Sequence, residues 1–112
     1  MSQQHFIIVL QDETGATVEF ERWANRRLKT CIHKMIELYS GWGASLYEND
    51  LNKAAQVVAY ETDYATTPDK IVWTATGDEF RRMVAEQKEQ NRQRSAQRRA
   101  ALAAAYEQEE TA

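Results

Sequence analysis

The feature that most restricts this chain is its last third. Thr76-Gly77-Asp78-Glu79 has the T-x-x-E form of a capping box, in which the Thr hydroxyl and the Glu carboxylate satisfy each other's backbone amides. Asp78 and Glu79 also suit the positive end of a helix dipole. Beyond Gly77 neither Pro nor Gly occurs through residue 112. The spacing predicts one helix running to about Glu109, roughly 50 Å long at the standard rise. A chain of 112 residues makes one domain with one modest core. A body that small cannot cover such a helix, so part of it must project.

The preceding residues supply the body. His5–Gln11 (HFIIVLQ) reads as a strand, Asp12-Glu13-Thr14-Gly15 as a turn, and Thr17–Glu21 as an alternating second strand, together a β-hairpin. A helix is expected from about Trp23 or Ala24 to Ser40. Leu28, Cys31, Ile32, Met35 and Tyr39 form its apolar stripe, and Gly41 ends it. Ser45-Leu46-Tyr47-Glu48 has the form of another capping box, which favours a short helix over 46–55, with a strand and turn as the competing reading. Gln56–Thr62 and Lys70–Ala75 read as strands, separated by a loop over Ala65–Asp69 containing Pro68.

The expected fold is therefore α+β. A small antiparallel sheet of about four strands, in the order ββα(α)ββα, carries its helices on one face, and a long C-terminal helix protrudes. Residues 1–85 form the body, and 86–112 a helical extension of the same domain with no linker. The order hints at two ββα units, but no residue-level repeat supports a duplication.

Placed at about 100° per residue, Phe80, Met83 and Val84 share a face that belongs to the core. The same face then carries Gln87, Asn91, Arg94 and Arg98 before Ala101, Leu102 and Ala105 return to it. Arg81, Lys88, Arg92 and Arg99 lie within roughly 40° of one another and make a basic stripe. Charge is segregated along the chain. Residues 1–80 carry seven Lys and Arg against twelve Asp and Glu, residues 81–99 seven against two, and residues 100–112 none against three. Lys88 and Arg92 repel mildly at i, i+4, a cost that an acidic partner turns into attraction. The plain alternative is a solvated extension of strong helix formers.

Few residues invite catalysis. There is no G-x-S-x-G, G-x-x-x-x-G-K, G-x-G-x-x-G or H-E-x-x-H sequence. Gly41-Trp42-Gly43 follows a helix and reads as its stop. Cys31 could be a nucleophile with His33 or His5, but it sits on the apolar stripe and His33, two residues on, points well away from it, so it reads as core. His33 and Glu37 are one turn apart, which suits a surface pair better than a metal site. The clusters Asp12-Glu13 and Glu48-Asn49-Asp50 lack EF-hand spacing and suit turns and caps. Trp73 lies inside an apolar strand and reads as core. Trp23 and Trp42 are open between core and contact roles, with Trp42 the better contact candidate on its Gly-flanked loop.

No segment approaches the roughly 18 apolar residues of a membrane span. The N-terminus lacks the basic start of a secretory signal, and one cysteine excludes an internal disulfide framework, so a cytoplasmic setting is expected. The functional expectation is a non-enzymatic protein-interaction module with no metal and no cofactor. It would bind a protein partner, or its own twin as a homodimer, through Gln87, Lys88, Asn91, Arg92, Arg94, Arg98, Arg99 and Trp42. A small lone domain of this kind suits an adaptor or inhibitor of a larger assembly, including a phage or mobile-element accessory role. The alternative is nucleic-acid binding through Arg22, Arg26, Arg27, Arg81, Lys88, Arg92 and Arg99.

Overall fold

The computed structural model describes residues 5–24, 26–41, 44–62 and 68–111. Strand β1 (His5–Gln11) and β2 (Thr17–Ala24) form the hairpin, followed by helix α1 (Leu28–Ser40). A 3-10 turn (Ala44–Tyr47) leads into α2 (Glu48–Lys53), then β3 (Gln56–Thr62), β4 (Pro68–Thr76) and α3 (Gly77–Thr111). All strand pairs are antiparallel and the sheet order is β2-β1-β3-β4, so the two most apolar strands are central.

Strand alternation divides the sheet's side chains between two faces. Phe6, Ile8, Leu10, Val57 and Ala59 meet Cys31, Met35 and Tyr39 of α1, Leu51 of α2, and Phe80 and Val84 of α3 in one core. The helices thus cover one face, as the sequence implies. The opposite face carries a smaller apolar strip, with Ile7, Val9 and Val58 buried and Phe20 and Ile71 exposed at its margins.

The hairpin turn is held by Asp12. Its Oδ1 accepts from Thr14 N at 2.9 Å, Thr14 Oγ1 at 2.6 Å and Ala16 N at 3.0 Å. The Thr14 hydroxyl foremost, helped by the backbone amides, holds this carboxyl below its usual range. Gly15 sits at φ 85°, a left-handed conformation that glycine adopts without a Cβ clash. Turn chemistry therefore accounts for Asp12.

Three boundaries differ from the sequence reading. The first helix begins at Leu28, because β2 continues to Ala24 by pairing Trp23 with Phe6 and Ala24 with His5. The segment expected as one helix over 46–55 is a 3-10 turn followed by a helix from Glu48. Tyr47, not Ser45, is the N-cap there, and it makes no side-chain capping bond. Pro68 and Asp69 belong to β4 rather than to a loop. Pro68 is the first residue of an edge strand, a place where its missing N–H costs the ladder little. The capping box at α3 forms as expected: Thr76 N donates to Glu79 Oε1 at 3.1 Å, and Glu79 N to Thr76 Oγ1 at 3.0 Å.

Candidate functional site: the projecting helix

Helix α3 is anchored at its start. Phe80 is fully buried and meets Tyr39 edge-on with ring centroids 5.8 Å apart, while Val84 is 1% exposed and Met83 half-buried. Arg81, counted in the basic stripe, is occupied here. Its Nη1 donates to the carbonyls of Leu51 at 2.9 Å and Ala54 at 2.8 Å, and its Nη2 to Asp78 at 2.7 Å. It satisfies carbonyls left over at the end of α2.

Contact with the body reaches farther than the expected boundary at residue 86. Gln87 and Asn91 are half-buried. Gln87 Nε2 donates to Asn91 Oδ1 at 3.0 Å, and Asn91 Nδ2 reaches Ser40 O at 3.5 Å. Two residues expected to bind a partner are therefore turned to the end of α1. From Arg92 through Gln108 every side chain is exposed. Arg92 pairs with Glu89 at 3.0 Å in a solvated ion pair of little net worth. Arg94, Arg98 and Arg99 make no ion pair among the described residues.

The exposed stretch holds two large apolar residues, Leu102 at 64% and Tyr106 at 65% exposure. By helical placement they continue the line of Lys88, Arg92 and Arg99, so the basic stripe leads directly onto an apolar pair. The sequence places Leu102 on the packing face with Ala101 and Ala105, whereas in the structure that part of the helix has no body to pack on.

The other nucleic-acid candidates lie elsewhere. Arg26 and Arg27 are exposed just before α1, whereas α3 leaves the body beside Ser40 at the other end of that helix, roughly 20 Å away at the standard rise. Arg22 lies on the sheet face turned from the helices, its guanidinium 5.7 Å from the Phe20 ring centroid. Trp23 points to the helix face and packs on the core, so Arg22 and Trp23 do not share a platform. Trp73 also packs on the core. Trp42 lies outside the described residues.

One feature was not legible in the sequence. An open groove of about 520 Å³ runs between β2 and α1, walled by Trp23, Leu38, Leu46 and Tyr47, with Glu21 and Glu37 at its polar side. Its residues come from segments far apart in the chain, so no local pattern marks it. Glu37 also pairs with His33 at 2.9 Å, with both side chains about half exposed, which is the expected surface pair. Cys31 is fully buried, and desolvation pushes its thiol up, away from reactivity. Among the described residues no three His, Cys, Asp or Glu come together, and no helix is long and apolar enough to cross a membrane.

Compared with protein-family models, curated proteins and solved structures, the chain matches none.

Proposed function

We propose that the chain is a protein-interaction module whose working surface is the part of α3 beyond Asn91. The observation that carries this reading is the exposure of every side chain from Arg92 through Gln108, with Leu102 and Tyr106 among them. Large apolar side chains held open on a rigid element mark contact surfaces more often than isolated exposed residues do. The surface comprises Arg92, Arg94, Arg98 and Arg99 with Leu102 and Tyr106, bordered by Lys88; Gln87 and Asn91 position it rather than meet the partner. A body that presents a single helix suits an adaptor or inhibitor that lays this helix on a larger assembly. The single cysteine, buried and inert, suits the reducing cytoplasm.

Nucleic acid is the less supported partner, because Arg81 is occupied and Arg22, Arg26 and Arg27 do not join the stripe. Deleting residues 92–112 tests the proposal. The body should stay folded and lose capture of its protein partner, and unchanged capture would refute the reading. Binding to DNA or RNA that weakens steeply with salt would favour the alternative, since each neutralised phosphate on B-DNA adds about −0.9 to the log–log slope.

A further inference from the structure

The exposed part of α3 has a sequence order that reads in both directions. Arg92, Ser95, Arg99, Leu102 and Tyr106 recur at alternating spacings of three and four, the pattern of a two-helix seam. Basic residues occupy the first half, the large apolar pair follows, and Glu107, Glu109 and Glu110 come last. We infer that this helix pairs with the same helix of a second copy, antiparallel, through the Arg92–Tyr106 seam. The inference rests on the reading that this part of α3 is the interaction surface, and it names the partner.

Orientation follows from charge. In a parallel pair Arg92 and Arg99 would each face their own copy, and the acidic ends would also meet. Like charges at such distances destabilise a helix pair. In the antiparallel pair, one register sets Arg92 level with the partner's residue 109, Ser95 with Tyr106, and Arg99 with Leu102. All seam positions are then matched, and the basic half of each helix lies along the acidic end of the other. The stem of Arg99 packs on the partner's Leu102 while its head reaches the partner's Tyr106 one turn on. The small side chains of Ala96, Ala103 and Ala105 flank the seam and let the helices approach closely.

The body sets an inner limit on the register. Asn91 still touches Ser40, and Arg92 is the first residue clear of the body. A partner helix aligned from Arg92 outward meets no part of the body it pairs with. Aligned nearer the start of α3, it would collide with α1.

The test is sedimentation and light scattering of the full chain and of full-length variants, with circular dichroism and thermal melting to confirm the body. The wild type should dimerise at high micromolar concentration. Leu102→Arg should be monomeric with an unchanged melt of the body. The variants R92E/R99E and E107K/E109K/E110K should each fail to self-associate, yet form a one-to-one complex when mixed. A monomeric wild type, a dimer unaffected by L102R, or charge variants that self-associate as well as the wild type would overturn the inference. A monomeric chain that still captures another protein through residues 92–112 would overturn self-pairing alone and leave the proposed function standing.

Discussion

Tyr39 is the one described residue whose buried polar side-chain atom finds no partner among the described residues. Its ring packs edge-on against Tyr47 and Phe80, and its hydroxyl is closed off from solvent. Burial foremost, then Glu19, Asp50, Glu21 and Tyr47, pushes its ionisation well above the usual phenol range. A raised folded value contributes stability that is complete below the ordinary phenol value and is lost as pH climbs past it. Tyr39→Phe removes an unsatisfied hydroxyl, so it should stabilise the body by about 1 kcal/mol at neutral pH. It should also lose less stability than the wild type between about pH 8 and about pH 11, since the substituted ring has no proton to release. Urea unfolding of the two chains at both pH values measures this, and a wild type no more alkali-sensitive than Y39F would refute it. Gly77 is a second residue decided by close packing. A Cβ built there would stand 1.9 Å from the Ala54 carbonyl oxygen, and Gly77 N donates to Ala55 O at 2.8 Å. Gly77→Ala should therefore cost about 1–3 kcal/mol although alanine is the better helix former. Thermal melting checks it, and an unchanged or raised midpoint would show that the junction yields freely.

Among the elements, α3 divides at Asn91 into a packed and a solvated helix, and hydrogen exchange should see that division. Amides near Phe80–Val84 should exchange only with opening of the body, and those from residue 96 through 108 far faster, because every side chain there is exposed. Uniform protection along α3 at low concentration would contradict the division. If the helix pairs with a second copy, protection beyond residue 95 should rise with concentration while that of Phe80–Val84 does not. How far these elements were legible follows the range of the interactions that fix them. The start of α3 is set by Thr76 and Glu79, three residues apart, and its capping box is visible in the sequence. Strand β1 declares itself by five consecutive apolar residues. The end of β2 is set by pairing with Phe6 and His5 across the hairpin, so local helical periodicity from Trp23 misplaces it. Ser45–Glu48 has the same letters as a capping box, but Ser45 lies inside the 3-10 turn and the α-helix starts only at Glu48, so Ser45 is not placed to cap it. The limit at Asn91 depends on Ser40, 51 residues earlier, and no periodicity reveals it. The stripe of Lys88, Arg92 and Arg99, by contrast, needed only the helix and the order of residues, whereas the loss of Arg81 from it depends on carbonyls of Leu51 and Ala54 far back in the chain.

For the whole molecule, the body is two layers thick and the helix extends it in one direction. The principal extents are 63 × 37 × 19 Å, and the radius of gyration is 18.4 Å. A compact domain of this length would have a radius of gyration of about 13 Å. The excess comes from the residues beyond Asn91, which at the standard rise add roughly 30 Å of helix. Among the described residues α3 leaves the helix layer at Asn91, and every side chain from Arg92 through Gln108 is exposed. The face toward the core is filled by Phe80 and Val84, and the next turns end at Ser40. Small-angle scattering should therefore give about 18 Å for the monomer at low concentration, and about 12 Å after deletion of residues 92–112, as expected for a compact chain of the remaining length. Antiparallel pairing would set the two bodies at opposite ends of a shared helical rod, so the radius should rise well above the monomer's as concentration increases. A full-length monomer near 13 Å would mean that the helix folds back on the body. That result would remove the exposed surface on which both the proposed function and the pairing depend.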